Sequence, residues 1–203
     1  MKICCVVGAG ECESFDFEKK NGDIIIAADG GYEVLKSKGI QPDYVVGDFD
    51  SLGYVPDEEN VIRFKPEKDF TDMYSSVEKG IELGFENFVI YGATGGREDH
   101  TLANYQLIAS LAERGFNAVL INGNKRITAI HNASKTFSAD HKGYISVFSH
   151  SDVSEGVTIE GLKYPLDDVI LKNTFALGVS NEFAGKESRV TVKNGTLIIM
   201  YNE

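Results

Sequence analysis

An α/β domain followed by an all-β domain is the fold class this sequence predicts, and three observations predict it. Short β-branched runs alternate with helix-period segments in the first half, each helical segment stops at a glycine, and helical periodicity vanishes from about Asn124 onward. Residues 3–7, 24–28, 44–46, 88–91 and 118–121 are apolar runs of the length and composition of buried parallel strands. Residues 32–38, 71–83 and 99–114 carry apolar side chains at spacings of three and four. They end near Gly39, Gly84 and Gly115, whose tolerance of positive φ suits a helix stop. The first domain is thus expected to be Rossmann-like, with a mostly parallel sheet.

Beyond Asn124 the candidates are short strands at residues 126–131, 144–148, 157–159 and 189–192. Asn194-Gly195, between residues 189–193 and 196–201, is the dipeptide most typical of a two-residue hairpin, so those two strands are expected to pair. An all-β sandwich follows. Asn122-Gly123-Asn124 is the natural boundary, giving domains of residues 1–123 and 124–203.

The 203 residues are 42% hydrophobic and 25% charged, the profile of a folded globular protein. Thirty-one acidic against twenty basic side chains leave a net charge of −11, which opposes nucleic acid and anionic membranes as partners. ATP would be repelled as well, so a nucleotide site here needs local basic groups, backbone amides or a divalent cation. The apolar run at residues 3–9 is too short to span a membrane and has no basic leader, so a cytoplasmic chain is expected. Cys4, Cys5 and Cys12 have no usual zinc spacing and read as reduced core or loop residues.

Four clusters lie where a predicted strand runs out into a loop, the place where open α/β sheets bind ligands. In Ala28-Asp29-Gly30-Gly31 the glycines admit close approach of a ligand; a helix cap by Asp29 is the other reading. In Gly47-Asp48-Phe49-Asp50-Ser51 an extended segment would turn Asp48 and Asp50 the same way, toward one hard cation; the alternative is an Asp/Ser turn. Lys65-Pro66-Glu67-Lys68-Asp69-Phe70-Thr71-Asp72 precedes and opens a helix, joining phosphate-seeking amides to a carboxylate, or else only capping that helix. Gly92-Ala93-Thr94-Gly95-Gly96-Arg97-Glu98-Asp99-His100 lacks the Walker ending, yet Arg97, Thr94 and the glycine amides have the donors a phosphate requires. His100 reads either as a packing or capping histidine or as a catalytic base.

These segments, in this order, together with Gly161-Leu162-Lys163-Tyr164-Pro165-Leu166 and Gly178-Val179-Ser180-Asn181-Glu182, resemble the thiamine pyrophosphokinase family across nearly the whole chain. The resemblance implies a cytoplasmic homodimeric enzyme with active sites at its interface, transferring the pyrophosphoryl group of ATP to thiamine. It implies Mg2+ held by Asp48, Asp50 and Asp72, with Lys68, Arg97 and Asp72 as the catalytic groups. ATP would meet Asp29, Gly30, Lys68, Thr71, Thr94, Gly95, Arg97, Asp99 and His100; thiamine would meet Asp99, Ser180 and Asn181. Some members place a tryptophan near thiamine. This chain has none, which leaves Tyr164, Phe175 and Phe183 as stacking candidates. Two rivals stand beside this reading: a nucleotide-binding regulator without turnover, and a kinase with a different acceptor.

Overall fold

The computed structural model describes residues 2–12, 14–65 and 69–203. It is an α/β structure with a large mixed sheet of ten strands, a separate antiparallel sheet of four and, among the described residues, three α-helices. In chain order the elements are β1 (Cys4–Val7), β2 (Ile24–Ala28), α1 (Gly31–Ser37), β3 (Tyr44–Gly47), β4 (Val61–Arg63), α2 (Asp72–Glu82), β5 (Asn87–Tyr91), α3 (Glu98–Glu113) and β6 (Asn117–Asn122). Then follow β7 (Lys125–His131), β8 (Ser134–Phe137), β9 (Tyr144–Ser149), β10 (Val153–Glu160), β11 (Leu166–Lys172), β12 (Gly178–Glu182), β13 (Ser188–Thr191) and β14 (Thr196–Asn202). Two compact units divide the chain: residues 1–104 with 120–123, and residues 105–119 with 124–203.

In the first unit the strand order is β6-β5-β1-β2-β3-β4, and β1 pairs in parallel with both β2 and β5. The chain first works outward from β1 to β4 and then returns to β1's other side, so the order reverses between β1 and β5. Loops leaving the carboxyl ends of two such strands diverge and open a crevice. Alternation along the strands sends Cys5, Val7, Ile25, Ala27 and Val45 to one face, where Tyr32 and Leu35 of α1 cover them. On the other face Gly80 lets α2 approach closely: a Cβ there would stand 2.7 Å from the Phe88 ring and 2.8 Å from the Cys4 sulfur. Cys4 and Cys5 are buried free thiols; burial pushes the Cys4 thiol up to about 12 and raises Cys5 well above the ordinary thiol range.

In the second unit, β11-β10-β13-β8 form one antiparallel sheet and β12-β9-β14-β7-β6 run in the other order of neighbours. Its core draws on both: Ile145, Val147, Leu197 and Ile199 meet Val157, Ile159 and Val190. Each such fully buried aliphatic side chain contributes about 1.5–3 kcal/mol by leaving water. No helix among the described residues is long and apolar enough to cross a membrane.

One expectation fails. The strands flanking Asn194-Gly195 do not pair with each other: β13 pairs with β10 and β8, whereas β14 pairs with β7 and β9. A two-residue type I′ hairpin needs positive φ at both central residues, and Asn194 does not have it. Instead Asn194 N–H donates to Glu155 O (3.2 Å) and Gly195 N–H to Asn132 Oδ1 (2.8 Å), so the dipeptide is a corner that carries the chain from one sheet to the other. The two-residue connection between neighbouring strands is Gly123-Asn124, between β6 and β7.

These two glycines make the difference measurable. Gly195 has φ +118, and a Cβ there would lie 2.8 Å from Ser154 Oγ. Gly195→Asn is expected to cost about 1–3 kcal/mol in urea unfolding. Gly123 has φ +56, a conformation asparagine tolerates, and Gly123→Asn is expected to stay within about 1 kcal/mol of the parent. Equal costs would contradict the corner assignment.

Candidate active site

At the reversal between β1 and β5 the first unit holds a cleft of about 480 Å³, within the range of small-molecule sites. Four strand ends supply its walls. Gly8, Ala9 and Gly10 follow β1, Asp29 follows β2, Asp48 and Asp50 follow β3, and Gly92, Ala93, Gly95, Gly96 and Arg97 follow β5. The starts of two helices complete it: Thr71, Asp72 and Met73 of α2, and His100 with Asn104 of α3.

Asp48 and Asp50 reach the cleft on a turn, the alternative reading of their segment, and not on extended chain. Phe49 sits between Asp48 and Asp50 with φ +65 and is buried, so this segment is a turn and not an extended strand. The turn is held by Asp50 N–H donating to Asp48 Oδ1 (3.1 Å), and both aspartates line the cleft while Phe49 enters the core. Asp29 is not a helix cap: the N-cap of α1 is Gly30, without a side-chain bond. Asp29 itself has φ +46, accepts the Ser51 hydroxyl on Oδ2, and keeps a buried Oδ1 with no partner among the described residues. Thr71 does cap α2, its Oγ1 accepting from Tyr74 N–H (3.1 Å), which sets Asp72 in the first turn.

Among the described residues no group of three or more His, Cys, Asp or Glu side chains is placed to hold a metal ion. The donor set nevertheless suits a hard cation. It consists of the carboxylate oxygens of Asp48, Asp50 and Asp72 on one cleft, with the orphaned Asp29 Oδ1 beside them.

Arg97, which also lines the cleft, is exposed and bound by a two-point fork to Asp99, Nε to Oδ1 at 3.1 Å and Nη2 to Oδ2 at 2.6 Å. This pairing holds the Asp99 carboxyl below its usual range, helped by a bond from His100 N–H, and raises Arg97. An exposed pair of this kind adds little stability; what it does is orient the guanidinium. Gly30, Thr94 and Asp99 stand outside the cleft lining, Thr94 Oγ1 accepting from Asn122 Nδ2 at 3.3 Å. Lys68 lies outside the described residues.

The predicted thiamine residues belong to the second unit. Ser180 is exposed at φ +58, where β12 breaks register with β9. Asn181 is buried, its Oδ1 accepting from Tyr164 N–H (3.0 Å) and Glu182 N–H (2.9 Å) and its Nδ2 donating to Tyr164 O (2.7 Å). Tyr164 and Phe175 are exposed, whereas Phe183 packs against Phe137 and His141. Sequence reasoning missed the Gly8-Ala9-Gly10 loop and Asn104. The loop had a signal, glycines directly after a strand; Asn104 had none, being one polar residue in a helical stretch.

Fold and cleft define an α/β protein with an acidic, glycine-walled ligand site at the carboxyl ends of a parallel sheet. Residues 15–120 match the family model for the thiamin pyrophosphokinase catalytic domain, and residues 134–199 match that for the thiamin pyrophosphokinase vitamin B1 binding domain. The chain belongs to the thiamin pyrophosphokinase family. It is 29% identical to the thiamine pyrophosphokinase of Bacillus subtilis over 184 residues, covering 86% of this chain and 85% of that one. With thiamin pyrophosphokinase 1 of Caenorhabditis elegans it shares 25% over 190 residues, covering 86% and 76%. The crystal structure of the Bacillus subtilis thiamine pyrophosphokinase superposes with a TM-score of 0.85 at 25% identity, over 98% of both chains.

The Arg97–Asp99 fork gives a direct test. A carbon-detected titration is expected to find the Asp99 carboxyl below the ordinary aspartate value of about 3.9. Arg97→Gln should bring it back up toward that value; an unmoved midpoint would mean that the fork does not form in solution.

Proposed function

We propose that this chain is a magnesium-dependent thiamine pyrophosphokinase, transferring the β,γ-pyrophosphoryl group of ATP to the hydroxyl of thiamine with release of AMP. The observation that carries the proposal is the gathering of Asp48, Asp50 and Asp72 on the same cleft as the Gly92–Gly96 turn and Arg97, in a chain of this family. Carboxylates for a cation and donors for phosphate are what a polyphosphate ligand requires on an acidic protein.

Asp48, Asp50 and Asp72 would hold the magnesium ion, which when bound supplies positive charge to the phosphate oxygens. The remaining chemistry belongs to the chain. Backbone amides of the glycine turn and the free edge of the Arg97 guanidinium bind phosphate oxygens, and Asp99 keeps that guanidinium in one orientation. We assign Lys68 a further share of charge compensation, and Asp29, Gly30, Thr71, Thr94, Gly95, Asp99 and His100 the surroundings of ATP. The thiamine oxygen attacks the β-phosphorus, the bond from that phosphorus to the α,β-bridging oxygen breaks, and this oxygen leaves on AMP. The hydroxyl proton passes to Asp72 or to water.

For thiamine we assign Asp99 and the Ser180-Asn181 segment. Ser180 is exposed, and Asn181 contributes by fixing the backbone at Tyr164 through two hydrogen bonds and at Glu182 through a third. The reading extends to the domains: residues 1–123 as a Rossmann-like catalytic domain, supported by the strand order reversal, and residues 124–203 as a β-sandwich, supported by the core shared between sheets. It includes a cytoplasmic homodimer that binds neither nucleic acid nor membrane, supported by the family and by the charge of −11.

Phosphorus NMR of the protein with ATP, magnesium and thiamine is expected to show AMP and thiamine diphosphate rising one for one. Stoichiometric ADP would overturn attack at the β-phosphorus, and ATP binding without turnover would make the chain a regulator. Asp48→Asn, Asp50→Asn and Asp72→Asn are each expected to lower kcat/KM by about a hundredfold or more, the scale of several kcal/mol of charge stabilisation. Thermal midpoints should barely move; near-normal rates in any two of the three would move the cation site elsewhere.

A further inference from the structure

Asn104 is buried in α3, at 6% exposure, and lines the cleft without belonging to any of its charged groups. Its Nδ2 donates to Ala93 O at 2.7 Å. The neighbouring carbonyls are engaged too: Gly92 O accepts from Gly10 N–H (2.9 Å) and Thr94 O from Glu11 N–H (2.8 Å). Three successive carbonyls of the turn are thereby bound by protein donors, two from the β1 loop and one from Asn104. The amides of Ala93, Thr94, Gly95 and Gly96 donate to no group among the described residues.

In a planar trans peptide the carbonyl and the following N–H point in opposite directions, so fixing Ala93 O also fixes where Thr94 N–H is aimed. Gly92, Gly95 and Gly96 all have positive φ, so this stretch has few backbone preferences of its own to keep the peptide from flipping. A second amide braces the next residue, Asn122 Nδ2 donating to Thr94 Oγ1 at 3.3 Å.

We propose that Asn104, seconded by Asn122, is a positioning residue for polyphosphate: by holding the Ala93 carbonyl it presets the Thr94 amide, which joins the Ala93 and Gly95 amides set by the β1 loop in an anion-binding turn before ligand arrives. The inference rests on the functional reading above, since it takes the ligand of that turn to be the polyphosphate of ATP. It gives the cleft's one buried asparagine a role that neither charge nor family membership supplies.

The test compares Asn104→Leu, Asn104→Asp, Asn122→Ala and, as a control, Leu107→Ala, which removes a buried side chain three residues along the same helix. The readouts are the Kd and KM for ATP, the KM for thiamine, and proton exchange of the Gly10 and Glu11 amides in ligand-free protein. Both Asn104 variants are expected to raise the Kd and KM for ATP at least about tenfold, the scale of one lost buried hydrogen bond. Asn122→Ala should raise them less, Leu107→Ala should leave them unchanged, and the KM for thiamine should hold throughout. Faster exchange at Gly10 and Glu11 in the Asn104 variants would show the turn loosening without ligand. The proposal is overturned if those amides exchange as in the parent, or if Leu107→Ala weakens ATP as much as the Asn104 variants do. Should the Asn104 variants fail to fold, Asn122→Ala decides by the same readouts. A parent that never forms thiamine diphosphate would refute the functional reading alone, because amide exchange and ATP affinity judge Asn104 separately.

Discussion

The backbone of residues 8–11 lies against that of residues 91–94 with no room for a side chain between them, and the cleft depends on this approach. Gly8 N–H bonds Tyr91 O and Gly10 N–H bonds Gly92 O, both at 2.9 Å, so the parallel pairing of β1 with β5 continues past the strand ends. A Cβ on Gly8 would stand 2.7 Å from Gly92 O, and one on Gly92 would stand 2.2 Å from Gly8 O. Neither contact is compatible with any other residue unless the loops separate. With the loops joined, the turn's carbonyls point into protein and its amides remain for a ligand, so the sheet's topology fixes where the donors go.

That geometry answers an electrostatic difficulty. A chain of net charge −11 repels a polyphosphate at long range, and the four aspartates lining the cleft, Asp29, Asp48, Asp50 and Asp72, add to the repulsion nearby. Backbone amides offset it without adding a titratable group, and a cation between aspartates and phosphates would turn the local repulsion into attraction. Arg97 completes the arrangement. Because it is exposed, its fork with Asp99 is worth little as stability and matters for direction: the guanidinium faces one way before any phosphate is near.

Much of this was legible in the sequence where the signal is local. Helix ends at Gly39, Gly84 and Gly115 and the cap at Thr71 follow from short-range backbone preferences, and α1, α2 and α3 fall within about two residues of their expected limits. Extended geometry is the expected way for Asp48 and Asp50 to face one direction, with an Asp/Ser turn as the alternative; the turn is what forms, around a left-handed Phe49 whose ring is drawn into the core. Asn194-Gly195 misled because a dipeptide's turn preference does not say which strands its flanks will join; long-range pairing with β10 and β7 decided that. Asn104 was invisible because its partner, Ala93, is eleven residues away across a turn whose path only the folded sheet determines.

The central claim is that one cleft at the β1–β5 reversal binds cation and polyphosphate together. Diffraction from crystals grown with manganese and a non-hydrolysable ATP analogue tests it most directly, because manganese reveals itself by anomalous scattering. The account predicts a manganese peak coordinated by carboxylate oxygens from Asp48, Asp50 or Asp72, with the phosphates against the amides of residues 93–96 and Arg97. Phosphates bound away from that turn, or manganese bound only outside the aspartate cluster, would contradict it.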